Sequence, residues 1–152
     1  MSLLDLLRPA RAPRARALDR LAACAGRYAT LAANLARHAA MCELPTIAAD
    51  LARLADATSA QAEVLRRLLR DRGAWPAPAA AAGPEGASNW ARLNADLALQ
   101  GDLARELNRT LVEVEGADPG FAAALRVLAT EEDRNLRALR SLALKCDPQA
   151  LD

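Results

Sequence analysis

Aromatic side chains are nearly absent from this sequence: one Phe, one Tyr and two Trp, 3% of 152 residues. β-Branched residues are scarce as well, so strands have little to be built from. Ala and Leu supply most of the 53% apolar content, and both favour helix. No charge of one sign dominates. Twenty basic against 19 acidic side chains leave a net charge of +1, which gives no electrostatic case for nucleic acid or an anionic membrane as partner. Long apolar runs are also missing, because Arg, Asp or Glu interrupts every few positions; no stretch reaches the ~18 apolar residues of a membrane span.

The opening residues, MSLLDLL, lack the basic start and long apolar core of a secretory signal. Arg8, Arg11, Arg14, Arg16 and Arg20 surround Pro9 and Pro13, and residues 1–16 are expected to be a flexible or short-helix leader, with a transit peptide or docking arm as alternatives. Cys24, Cys42 and Cys146 are odd in number, widely spaced and match no zinc pattern. They are expected to be reduced core thiols in a cytoplasmic protein. No Gly-rich phosphate loop, nucleophile elbow or Cys/His cluster occurs, and no cofactor is expected.

Four segments carry apolar residues at alternating spacings of three and four, the mark of a helix with one buried seam. The first runs through Leu18, Leu21, Ala25, Tyr28, Ala32, Leu35, Ala39 and Cys42, the second through Ile47, Leu51, Leu54, Thr58, Gln61, Leu65 and Leu68. The third runs through Trp90, Leu93, Leu97, Gln100, Ala104, Leu107, Leu111 and Val114, the fourth through Phe121, Leu125, Leu128, Glu132, Asn135, Leu139, Leu142 and Cys146. Thr46, Ser88 or Asn89, and Asp118 are the candidate caps, with Pro119 at a first helical position. These features predict helices over about 17–43, 46–72, 89–115 and 119–146, in a single domain spanning 17–147. Each is ~40 Å long at 1.5 Å per residue.

Two connections are tight, Glu43-Leu44-Pro45 and Gly116-Ala117-Asp118-Pro119, and each forces an antiparallel hairpin. The third, residues 72–88, is rich in Pro, Gly and Ala and reaches about 50 Å when extended, enough to travel the length of a helix. The predicted fold is therefore an all-α antiparallel four-helix bundle of two hairpins joined by one long crossover. A slack linker in a serpentine bundle is the alternative. Trp75 and Trp90 are expected to pin the crossover to the bundle.

The seams turn polar near their middles. Thr58 and Gln61 stand three apart on the second segment, and Glu132 and Asn135 three apart on the fourth. Gln100 lies on the third and Tyr28 on the first, and the two hairpins look like copies of one unit. This layout resembles the ferritin-like, rubrerythrin-type superfamily of di-iron carboxylate bundles, over about residues 18–146. The resemblance implies a two-metal centre in which two helices each give a Glu and the other two each give a Glu-x-x-His pair. The segment ATEEDRNLRALRSL, residues 129–142, is similar to the family's Glu-Glu-x-x-His helix with Asn135 in the histidine position. Thr58-x-x-Gln61 falls where the other pair would fall.

The departures decide the expected chemistry. The family's carboxylates become Ala25 or Tyr28, Thr58 and Gln100, leaving Glu132, and both imidazoles become amides. The one histidine, His38, lies ten residues past Tyr28, roughly 15 Å along the helix, flanking the seam, and is expected to be a partly exposed bystander. One carboxylate with neutral amides does not offset the dehydration of two divalent ions. The expectation is a degenerate ferritin-like bundle with its metal site lost, more a structural or protein-interaction module than an enzyme. It would self-associate or bind another protein through Ala-rich outer faces or through Leu3, Leu4, Leu6 and Leu7.

Tyr28, Thr58, Gln61, Gln100, Glu132 and Asn135 would form a central polar layer that fixes helix register or lines a small ligand pocket. Two rivals stay open: a metal-binding protein of oxidoreductase or storage type holding one ion through Glu132 and Asp102, and a small-ligand carrier using the central cavity.

Overall fold

The computed structural model describes residues 11–81 and 86–149, in which four long helices account for all the regular structure. They are α1 (Arg11–Met41), α2 (Pro45–Arg70), α3 (Asn89–Val114) and α4 (Pro119–Lys145). Ser88 caps α3 by accepting from the Ala91 N–H at 3.1 Å, and Asp118 caps α4 by accepting from Phe121 N–H at 2.9 Å, with Pro119 at the first position. These caps satisfy N–H groups that the first turn leaves without partners.

Two boundaries differ from expectation. Residues 11–16 are helical instead of belonging to a leader; Pro13 falls in the first turn, where its missing N–H costs nothing. At α2 the Thr46 cap does not form. Pro45 itself starts the helix behind Leu44, whose side chain makes no capping bond, since proline's fixed φ already suits a first helical position. The Leu3, Leu4, Leu6, Leu7 motif lies outside the described residues.

Helix α1 packs beside α2 and α3, and α4 packs beside the same two, while α1–α4 and α2–α3 are diagonal pairs whose backbones do not approach. Along α1 and α3, Arg20 pairs with Glu113, Arg27 with Asp102 and His38 with Asp96, so those helices run antiparallel. The tight turns make α1–α2 and α3–α4 antiparallel too. Consequently α2 and α3 point the same way and need a connection that travels back the length of the bundle. This is the predicted pair of hairpins joined by a crossover, not serpentine order.

The crossover leaves α2 through Gly73, whose φ of 70° lies in the left-handed region that glycine enters without strain. It then runs along α1. The Ala77 N–H donates to the Ala22 carbonyl at 3.0 Å, and the Thr30 hydroxyl lies within reach of the Ala80 carbonyl at 3.2 Å. A Cβ on Gly26 would sit 2.5 Å from the Pro78 carbonyl oxygen, so only glycine lets the two backbones approach this closely. Trp75 is 81% exposed and Trp90 41% exposed, so the indoles do not pin the connection; backbone contacts do.

The core is a continuous aliphatic cluster that includes Leu21, Leu35, Leu51, Leu65, Leu103, Leu125 and Leu139. On α3 the buried line is Leu93, Asp96, Gln100, Leu103, Leu107, Thr110, Val114, and the expected Leu97, Ala104 and Leu111 sit half-buried at its flank. Every second seam position shifts by one residue there, to Asp96, Leu103 and Thr110, as the helix turns Asp96 inward toward α1. Buried Ala25, Ala32, Ala55 and Ala62 let α1 and α2 share the most extensive interface, whereas α2 and α4 share the least. Among the described residues, no helix is long and apolar enough to cross a membrane.

Candidate functional site

The heptad spacing that buries leucines elsewhere carries six polar side chains into the middle of the bundle. Tyr28 on α1, Thr58 and Gln61 on α2, Gln100 on α3, and Glu132 and Asn135 on α4 are all buried, with Thr58, Gln100 and Glu132 wholly inaccessible. Asn135 Nδ2 donates to the Gln61 amide at 3.0 Å, linking α4 to α2. The same end of the Gln61 amide lies 3.2 Å from Glu132 Oε2. As oxygen it accepts from Asn135; turned over, as nitrogen, it donates to the carboxylate. Gln61 is thus the joint between the Asn135 amide and the buried acid.

Burial raises the Glu132 carboxyl to about 7, and Tyr28, Gln100 and Gln61 oppose the shift. Burial, and then the Glu132 charge, push the Tyr28 phenol far above its ordinary value. The groups face one another without closing a complete network. The Tyr28 hydroxyl, the Thr58 hydroxyl, both amide atoms of Gln100 and Glu132 Oε1 are buried and lack a partner in regular hydrogen-bond geometry. Tyr28 and Gln100 therefore approach Glu132 closely enough to hold its pKa down, but not well enough to satisfy it.

Glu132 is the one carboxylate in this layer. Two divalent cations would bring four positive charges against at most one negative, with hydroxyls and amides as the remaining donors; that set does not fit a two-metal centre. Among the described residues no three His, Cys, Asp or Glu side chains come together in a way that could hold a metal. Asp102 does not join Glu132. It is half-exposed and pairs with Arg105 on its own helix and with Arg27 at 3.4 Å.

A second polar cluster sits further along α1 and α3. His38 is 5% exposed, not the partly exposed bystander the sequence suggests, and its Nδ1 lies 2.5 Å from Asp96 Oδ2. Burial raises the Asp96 pKa, opposed first by His38 and then by Asn34 nearby; Arg37 donates to Asn34 Oδ1 at 3.4 Å. The His38 Nε2 is buried without a partner. Sequence reasoning missed Asp96, although its position four residues before Gln100 places it on the same helix face.

The three cysteines are free. Burial raises Cys24 to about 11. Cys42 accepts a long contact from Asn89 Nδ2 at 3.7 Å, and the Cys146 thiol is raised by burial and then by Cys42 at the same end of the bundle. Compared with family models, with curated proteins and with solved structures, the chain matches none of them.

Proposed function

We propose that this chain is a ferritin-like bundle in which metal chemistry has been replaced by a polar layer with a single carboxyl group, and that it acts as a non-catalytic structural or protein-interaction module of the cytoplasm, self-associating or binding another protein. The single observation that carries this reading is the isolation of Glu132: one buried carboxylate among Gln61, Gln100, Asn135, Thr58 and Tyr28. The hairpin–crossover–hairpin order supports the kinship. The amides at the levels where imidazoles would be needed support the loss of the metals. A layer of this composition favours one register over others, because sliding any helix would bury its polar groups against leucine.

The test is metal analysis of protein purified without chelators, with melting curves in the presence and absence of ferrous, manganous and zinc ions. The expected result is sub-stoichiometric metal and an unchanged melting temperature. One or more ions per chain, released by Glu132→Gln, would overturn the reading.

A further inference from the structure

The least tightly packed neighbouring helices, α2 and α4, leave a groove between them of about 470 Å³, within the size range of small-molecule sites. Its walls are almost wholly aliphatic: Ala60 and Val64 from α2, Ala124, Val127 and Leu128 from α4. Val64 is 44% and Val127 65% exposed, so apolar surface stands open at the mouth. Gln61, Asn135 and Glu131, the last paired with Arg134, also line the groove. They form its polar end, and directly behind Gln61 stands the Glu132 carboxyl.

Each feature restricts the occupant. The apolar walls suit a short alkyl chain. Behind them the Tyr28 and Thr58 hydroxyls, both amide atoms of Gln100 and Glu132 Oε1 are unpartnered, and of these the Gln100 and Glu132 oxygens can only accept. The groups acting on Glu132 are Tyr28, Gln100 and Gln61, with no basic side chain among them. A carboxylate or phosphate head would therefore meet a like charge and no counter-charge, and a neutral alcohol would bring a single donor. A primary ammonium brings three donors and the complementary charge.

We propose that the α2–α4 groove binds a primary alkylammonium compound, its chain lying along Ala60, Val64, Ala124 and Val127 and its head entering beside Gln61 to meet Glu132. With the Gln61 oxygen accepting from Asn135, the Glu132 carboxylate receives no donor from that amide and is left for the head. This site needs only the groove and the layer, and it stands whether or not the chain is kin to ferritin-like proteins.

The test uses the full chain at about pH 8, where Glu132 is ionised, titrated separately with hexylammonium, hexanol and hexanoate and followed by amide chemical shifts. Hexylammonium is expected to bind about tenfold more tightly than either analogue, with shifts centred on residues 57–64 and 124–135. Glu132→Gln should keep the folded spectrum and abolish the tenfold preference. Val127→Lys, at an exposed position that leaves folding intact, should weaken hexylammonium and spare hexanol. Equal binding of the three probes, no binding, or shifts elsewhere would overturn the proposal. So would a dimer by light scattering that Val127→Lys dissociates, since a second copy would then be the occupant of the groove.

Discussion

His38 on α1 and Asp96 on α3 meet in the core with Nδ1 and Oδ2 2.5 Å apart, joining the two helices that carry the crossover and its destination. Removing one member of such a pair leaves the other buried without its partner, whereas removing both restores an apolar interior. Asp96→Leu or His38→Leu alone is expected to lower unfolding free energy by about 3 kcal/mol. The double variant His38→Leu, Asp96→Leu should come within about 1.5 kcal/mol of the parent. Urea unfolding of the four proteins in the cycle measures both. Additive losses would show that the contact carries no coupling.

Glu132 sets a pH dependence of opposite sense to that of an ordinary salt-bridged acid. Its carboxyl lies near 7 when folded, against 4.5 for the ordinary group, so the native state holds a proton that the unfolded chain releases. Stability from this group is fully present below about pH 4.5 and falls as pH rises through 7, a loss of about 3 kcal/mol by the usual linkage. Glu132→Gln removes the titration. It should match the parent near pH 4.5 and exceed it by up to about 3 kcal/mol near pH 8, and Glu132→Leu should leave the melting temperature at neutral pH unchanged or raised. Denaturant unfolding at the two pH values decides. A parent-minus-variant difference that does not change with pH would place the carboxyl in an ordinary environment.

The layer and the connectivity were legible because both are written in local pattern. Glu132 and Asn135 interrupt a strict leucine heptad, Thr58 and Gln61 interrupt another, and the unequal loop lengths favour a crossover between α2 and α3 over a slack linker. Asp96 was not legible, since an acid beside Leu97 reads as solvent-facing until α1 supplies His38 as its partner. The same choice puts Asp96, Leu103 and Thr110 in the seam instead of Leu97, Ala104 and Leu111, while Leu93, Gln100, Leu107 and Val114 stay as expected. Trp75 and Trp90 misled because large apolar side chains are expected to anchor loops. The anchoring instead depends on what Gly26 lacks, and a missing side chain leaves no apolar signal.

Two helical glycines make a contrasting pair. Gly26 lies under the crossover, where an added methyl would meet the Pro78 and Ala77 carbonyls at 2.5 and 2.9 Å. Gly101 on α3 would meet only the Arg105 guanidinium at 3.7 Å. Alanine gains about 1 kcal/mol of helix propensity at either site. Gly101→Ala should therefore raise stability by about 0.5–1 kcal/mol. Gly26→Ala should lower it by about 1–3 kcal/mol despite the same gain, and should open residues 74–81 to limited proteolysis. Equal effects at the two positions would mean that the crossover does not bear on α1.

Tyr28 is the sole tyrosine in the chain, so its ionisation can be read without overlap. Its hydroxyl is buried beside Glu132, and burial followed by the neighbouring charge drives the phenol well above its ordinary value near 10. Because the folded pKa is raised, the group favours the native state below the unfolded value and opposes it once pH exceeds about 10. The absorbance of tyrosinate should stay absent through that ordinary range while the helical signal persists, then appear together with loss of helix in one transition. Glu132→Gln removes the neighbouring charge but not the burial, so it should move that transition to higher pH without restoring free titration. A phenol titrating smoothly near 10 in the intact bundle would place Tyr28 in water, and with it the central layer.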